Sequence, residues 1–497
     1  MPYDDLQSFL KVLEGVGELR RVKASVDPVL EVAEIVDRVS KGGTSGQWSV
    51  VSGQKGPVKN QALVFEKVMG SEVPLAINTF GSYKRMQMAL GCEDFDELAG
   101  RIAELTRPEV PAGLWNKVKK GFDFLKIGSY VPKVRGGGAL CQEVVETEGA
   151  DVTKLPVIQC WPEDGGKYIT FGQVVTKHPE THARNLGMYR VQVFGPKMTA
   201  MHWHMHHDGA RHFRAWAKRG ERCPLAITLG GESVLPYAAT APLPPGIDEH
   251  MFAGFLQGRG LELVACKTVP LEVSANCEIV IEGWVDPKQT ILEGPFGDHT
   301  GFYSLAGQYP VFTVTAITHR KNPVYPTTIV GKPPQEDFYL GKATERLFLP
   351  LLKILVPDII DYDLPMFGVF HSCAFVKIRK EYPYHARKVM SAIWGAGQMA
   401  WTKIIVVVDE DVDVHSVDDV MFHVAGNVDP KRDIMMVDGP LDILDHAAPY
   451  EGAGSKMGID ATKKWPGEGV VRDWPGEIRM DAGTVEKVTK RWGEYGF

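Results

Sequence analysis

The sequence predicts a multidomain chain of mixed α+β and α/β class, with a strand-rich centre between two α/β regions. Three observations carry this reading. Ahead of residue 126, helical spacing alternates with short strand-like runs. From 126 to 330, strand-like runs follow one another with one helix among them. Beyond Gly331-Lys332-Pro333-Pro334, a long helical pattern precedes alternating strands and helices. The boundaries are therefore placed at residues 1–125, 126–330 and 331–497, and a chain of 497 residues accommodates about three domains at ~150 residues each.

In the first region, Leu6, Phe9, Leu10 and Leu13 recur at helical spacing. So do Phe95, Leu98, Ile102 and Leu105, behind Asp94 as a candidate cap. Ala62 to Val68 and Pro74 to Phe80 suit strands, and Pro108 and Pro111 close the region. In the second, the stretches Gln142 to Glu148, Tyr168 to Thr176, Leu186 to Phe194, Lys197 to His206, Pro224 to Leu229, Leu261 to Lys267, Glu278 to Val285 and Val311 to Thr318 suit strands separated by Gly, Pro and Asp turns. A helix from Ile247 to Gln257 interrupts them, entered through Pro244-Pro245-Gly246. Many strands with few helices suggest a barrel or closed sheet. In the third, Glu336 to Ile354 reads as a long helix, followed by Cys373 to Ile378, His385 to Trp394, Ile404 to Val408, Val417 to Ala425 and Ile434 to Val437 in alternation.

Composition narrows the class. With 44% hydrophobic residues the chain can bury sizeable cores. A net charge of −7 argues against a general nucleic-acid binder. The local basic group Lys117, Lys119, Lys120, Lys126, Lys133 and Arg135 reads as a solvated face or linker. The 7 cysteines are scattered without a CxxC, which supports neither a disulfide framework nor a thiolate zinc site. Met1-Pro2-Tyr3-Asp4-Asp5 leads into an amphipathic helix rather than an apolar signal core, and no apolar run approaches the ~18 residues of a membrane span. A cytoplasmic protein is expected.

The most informative stretch is Glu293-Gly294-Pro295-Phe296-Gly297-Asp298-His299-Thr300-Gly301-Phe302-Tyr303. Its glycines and proline oppose a helix interior. It is either a shaped turn that aims Glu293 and Asp298 at a common point or a strand-joining turn with solvated acids. Paired carboxylates held at different pKa values supply proton chemistry near neutral pH. In His202-Trp203-His204-Met205-His206-His207, a strand would put His202, His204 and His206 on one face. That suggests metal or ligand contact, or else an exposed polar face. The order is close to the HxHxDH of metallo-β-lactamase-type hydrolases, but His206 stands where the Asp should be.

Further candidates stand elsewhere. In Asn185-Leu186-Gly187-Met188-Tyr189-Arg190, Asn185 offers an oxygen ligand and Arg190 a carboxylate-binding fork. An Asn in a turn and an Arg in a surface ion pair are the plainer account. Glu249 stands in the first turn of a helix, where the helix dipole suffices to explain it. Gly454-Ser455-Lys456-Met457-Gly458 presents a glycine-flanked lysine able to hold a phosphate, though it is not a Walker loop.

These pieces, in this order, resemble the UbiD family of decarboxylases over nearly the whole chain. The resemblance includes Cys160-Trp161-Pro162-Glu163-Asp164, Asn185 to Arg190, the His-rich stretch, Glu249 with Phe252-Ala253-Gly254, Glu293 to Tyr303, Phe312-Thr313-Val314-Thr315 and Ser455 to Thr462. It implies a split β-barrel flavin-binding domain at 126–330, with a C-terminal oligomerisation domain whose Lys456 segment returns to the cofactor. It implies prenylated FMN, a divalent metal (usually Mn2+) and K+. Asn185, His202 and Glu249 are the implied metal site; Met188, Tyr189, Arg190, Trp203, His204 and Lys456, with Asn185 and His202, the implied cofactor contacts. Arg190, Glu293 and Asp298 are the implied catalytic trio, with Asp where some relatives have Glu. Burial and the Glu293 charge are expected to favour a protonated Asp298.

The resemblance further implies non-oxidative, reversible decarboxylation of an aromatic or α,β-unsaturated acid, closest to the 3-polyprenyl-4-hydroxybenzoate branch of quinone biosynthesis. A flavin prenyltransferase would supply the cofactor, and a homodimer or homohexamer is expected. The alternatives are UbiD-like action on another aryl or heteroaryl acid, a His-rich metal hydrolase, and a flavin-binding module without activity.

Overall fold

The computed structural model describes residues 1–42, 58–106, 127–205, 207–244 and 246–497. The basic residues at 117–126, the prolines at 108 and 111, and His206 lie outside them.

The N-terminal region carries a four-stranded sheet, its strands ordered Leu19–Val26, Ala62–Val68, Leu75–Ile77 and Tyr325–Thr327. The last strand arrives from far along the chain and pairs in parallel with Leu75–Ile77. Leu6–Gly15 is a helix because Asp5 caps it, accepting from Ser8 N–H, and because Leu6, Phe9, Leu10 and Leu13 form one buried stripe. Phe95–Thr106 is helical, with the Asp94 carboxylate accepting from Asp96 N–H.

The central domain is built on a nine-stranded sheet. From edge to edge its main path runs Lys167–Ile169, Val191–Val193, Met198–Met201, Gly307–His319, Cys277–Glu293, Cys223–Gly230, Gln173–Lys177 and Arg184–Met188. The final strand of this path and the second are separated in sequence by Tyr189-Arg190 alone. A flat sheet cannot place them that close, so the sheet curls and brings its two edges together at this dipeptide. This is the expected split barrel. Arg190 stands on the seam.

The C-terminal domain holds a five-stranded sheet ordered Ile359–Asp363, Cys373–Ile378, Ile404–Asp409, Ala453–Asp460 and Ile434–Pro440. Its lead helix, Glu336–Leu355, ties the regions together: the buried Glu336 carboxylate accepts from Asn78 N–H at 3.0 Å and Phe80 N–H at 2.9 Å. Among the described residues, no helix is long and apolar enough to cross a membrane.

Candidate active site

Arg190 leaves the seam between two strand ends. Its Nε donates to Glu293 Oε1 at 2.9 Å and its Nη2 to Oε2 at 3.2 Å, while Nη1 donates to Asp298 Oδ2 at 2.7 Å. The fork lies over the Phe296 ring at 4.6 Å. Glu293 is the last residue of the long strand Cys277–Glu293 and is fully buried. Burial alone would raise its pKa, but the hydrogen bonds from His202 and Arg190 outweigh that and hold it down. Arg190 and the two acids predicted from sequence therefore meet at one point.

The turn that carries Glu293 and Asp298 is pinned on all sides. Gly294 has φ +93°, open to glycine, and its N–H donates to Gln192 Oε1 at 2.8 Å. Gly165 N–H donates to Pro295 O at 2.7 Å. Asp164 accepts from Cys160 N–H, Trp161 N–H and Gly297 N–H. A Cβ at Gly297 or Gly331 would run into the Trp161 indole, so the ring is seated between two glycines. The Cys160–Asp164 stretch thus clamps the acid-bearing turn.

Asp298 departs from the expectation of a resting carboxylic acid. Burial does push its pKa up, but hydrogen bonding and charge from His299, and the charge of Arg190, hold the carboxyl well below the usual range. Its immediate neighbour is a cation, not only Glu293. His299 in turn is raised to about 9: burial opposes its charge, and the hydrogen bond and charge of Asp298 overcome that.

The histidines depart too. The strand ends at Met201, so His202 and His204 do not alternate on a sheet face. Beyond Arg190 the partner chain turns off toward the other sheet edge, and the ladder stops. His202 Nδ1 lies 2.8 Å from Glu293 Oε2, and its Nε2 lies 2.8 Å from His204 Nε2. Its ring stacks on Tyr309 at 4.1 Å. Burial lowers the pKa of His202 and of His204. Both stand with Arg190 and its two acids.

A second cluster adjoins the first through Tyr189. Gly209 N–H donates to the Tyr189 hydroxyl at 3.4 Å, and Glu249 Oε2 accepts from Leu186 N–H at 3.0 Å. Glu249 opens the helix Glu249–Gln257, capped by Asp248, which Arg184 holds at 2.8 Å. Burial pushes Glu249 up to about 7, against the pull of the Leu186 N–H. Among the described residues, Asn185 Nδ2 and Trp203 Nε1 are buried without a hydrogen-bond partner. A Cβ at Gly187 would strike Tyr189, and one at Gly209 would lie 2.8 Å from Trp203 Nε1. A carboxylate raised by burial fits a cation, and orphan donors beside glycine-lined rings fit a polar, flat ligand. Met188 ends the strand leading to this cluster. Lys456 stands apart: it is buried in Ala453–Asp460, donates to Ala400 O and lies 5.9 Å from the Trp394 ring centre, contacts within the C-terminal domain.

Sequence reasoning missed His299, His371 and Asp164 as site residues. His299 follows Asp298 directly and was there to be read. His371 has no such signal.

Comparison with known proteins decides the family. Models described as the N-terminal, Rift-related and C-terminal domains of 3-octaprenyl-4-hydroxybenzoate carboxy-lyase match residues 10–105, 132–333 and 338–461 in that order. The chain belongs to the UbiD family. It is a carboxy-lyase of that class. An uncharacterised protein of Aquifex aeolicus is 46% identical over 495 residues, 99% of each chain. The closed form of vanillic acid decarboxylase from Sedimentibacter hydroxybenzoicus is 27% identical over 99% of both chains, with a TM-score of 0.84. The UbiD-class enzyme HmfF of Pelotomaculum thermopropionicum, in complex with FMN, is 28% identical over 97% of this chain and 98% of its own, with a TM-score of 0.78. An evolved dimeric form of HmfF in complex with prFMN is 26% identical over 97% and 98%, with a TM-score of 0.77.

Proposed function

We propose that this UbiD-class enzyme uses prenylated FMN to decarboxylate an aromatic or α,β-unsaturated acid, reversibly and without net oxidation. A 3-polyprenyl-4-hydroxybenzoate-type acid is the first candidate substrate. The observation that carries the reading is the Arg190 fork held by Glu293 and Asp298.

Loss of CO2 from an sp2 carbon leaves an electron pair without a resonance sink. One charged hydrogen bond contributes about 1.5–3 kcal/mol, whereas enzymes remove ~8–23 kcal/mol from a barrier. Prenylated FMN, when bound, supplies the missing electron sink. Asn185 and Glu249 would hold a divalent ion such as Mn2+, with K+ nearby; Tyr189, Trp203, Met188 and His204 would line the flavin. His202, whose nitrogens face Glu293 and His204, joins the metal ligands only if its ring turns from them.

The chain's own residues divide the remaining work. Arg190 binds the substrate carboxylate, Glu293 and His202 keep Arg190 placed, and Asp298 delivers a proton to the carbon that loses CO2. The curled sheet excludes water from the departing group. Vanillic acid and other aryl or heteroaryl acids are the second reading, favoured by the likeness to vanillic acid decarboxylase.

The test is production together with a flavin prenyltransferase, then CO2 release from a panel of aryl and conjugated acids. A shifted flavin spectrum with turnover of a polyprenylated hydroxybenzoate supports the first reading. Loaded flavin with no CO2 release from any acid would overturn both.

A further inference from the structure

Decarboxylation replaces CO2 by one proton, so each turnover must protonate the group that donates to carbon. Both oxygens of Asp298 are already engaged at rest. Oδ2 accepts from Arg190 Nη1 at 2.7 Å. Oδ1 accepts from the His299 backbone N–H at 2.9 Å and faces the His299 ring Nδ1 at 3.0 Å. A carboxylate so occupied acquires a proton most directly from one of its own donors. A guanidinium does not give one up in a protein, and a backbone amide does not either. The imidazole does.

We propose that His299 is the immediate proton source for Asp298, and that His371 of the C-terminal domain holds His299 in that role. The inference rests on the reading of Asp298 as the residue that protonates carbon. His299 Nε2 lies 2.8 Å from His371 Nε2. The His371 ring meets His299 edge-on at 5.1 Å, and the Phe370 ring lies 5.5 Å from it. A Cβ at Gly341 would enter the Phe370 ring, so that glycine makes room for the wall. His371 Nε2 is 3.8 Å from Asp442 Oδ1. His299 is thus faced by Asp298 and, at longer range, Asp337 and Asp442, with His371 on its far nitrogen. Burial takes His371 down to about 4, so it stays neutral and accepts from an imidazolium.

The proton balance closes. The His299 Nδ1–H bond breaks as an O–H bond forms on Asp298; that O–H then breaks as the new C–H bond forms. His299 is left neutral, and a solvent proton restores it before the next turnover. Because His371 comes from the other domain, its hold on His299 lasts only while the two domains meet.

Two experiments test this. In the full chain with isotope-labelled histidine, NMR titration should find the His299 imidazolium persisting well above pH 7, and shifted down in H371F; a His299 titrating at or below the usual 6.5 overturns the proposal without any substrate. In the flavin-loaded enzyme, with vanillate and 3,4-dihydroxybenzoate as probes, H299N should lower kcat by about 10²–10³ with KM and flavin content changed less than about threefold. H371F should move the alkaline limb of kcat to lower pH, and H371Q should restore part of it. Wild-type turnover with unimpaired H299N overturns this proposal and leaves the decarboxylase reading standing. A wild-type holoenzyme inactive on every acid overturns the decarboxylase reading, and the titration still decides the state of His299.

Discussion

The Gly297 N–H donates to the Asp164 carboxylate at 2.7 Å, which fastens the acid-bearing turn to a separate stretch of chain. The same carboxylate takes the N–H groups of Cys160 at 3.0 Å and Trp161 at 2.9 Å. Removing it leaves buried donors without partners, each costing about 1–3 kcal/mol. D164A is therefore expected to lower the first thermal transition and to reduce kcat about 10–100-fold, while flavin content holds. D164N, which keeps one acceptor oxygen, should fall between. Wild-type turnover in D164A would show that the turn keeps its shape unaided.

Arg190 engages both Glu293 oxygens and Asp298 through separate guanidinium nitrogens, a geometry that an ammonium cannot reproduce. R190K should lose roughly 10²-fold or more in kcat/KM, on the scale of one to two charged hydrogen bonds at about 1.5–3 kcal/mol each. Its flavin spectrum should persist, because the adjoining Asn185 and Glu249 cluster keeps all of its side chains. An R190K enzyme within about threefold of wild type would remove the fork from substrate binding.

The trio was legible only through the family resemblance, because the residues alone were equally consistent with a solvated glycine-broken turn for Glu293 and Asp298 and a surface ion pair for Arg190. The domain order was legible because periodicity changes at each boundary. The histidine face was misjudged for a physical reason: alternation holds only while a ladder continues, and the partner of Met198–Met201 leaves the sheet at Arg190. The ionised state of Asp298 was misjudged because its charge depends on His299, which neutralises it from the next position. The His299–His371 contact crosses between domains, and such contacts leave no period in a sequence. Tyr325–Thr327 joining the N-terminal sheet escaped for the same reason.

His415 offers a pH test. It lies 3.0 Å from both Asp361 and Asp363, and those hydrogen bonds raise it to about 9. Although Glu345, Asp363 and His415 lie close enough to hold a metal, Lys342 contacts both Glu345 and Asp363 and already supplies the cation. A folded pKa above the unfolded ~6.5 means that the stabilisation is complete below pH ~6.5 and disappears as pH rises through about 9. The melting-temperature gap between wild type and H415Q should be widest near pH 6 and close by about pH 10. A gap that is flat with pH would mean that His415 stabilises by packing alone.

Lys380 and Glu468 form a buried pair at 2.6 Å, each side chain 2% exposed. Lys380 Nζ also donates to Thr462 Oγ1 at 3.0 Å and Lys463 O at 2.7 Å, and Glu468 accepts from Tyr384 N–H and Trp465 N–H. The pair thereby fastens the segment that follows Ala453–Asp460 onto the C-terminal sheet. Removing one partner from a buried pair costs about 3–5 kcal/mol, because the other charge is left uncompensated. K380M should therefore lower the melting temperature of the full chain markedly. The double variant K380M/E468L should recover part of that loss, since no charge is then stranded, although the Tyr384 and Trp465 amides lose their acceptor. If the double variant is as unstable as the sum of the single ones, the amide contacts rather than the ion pair hold this segment in place.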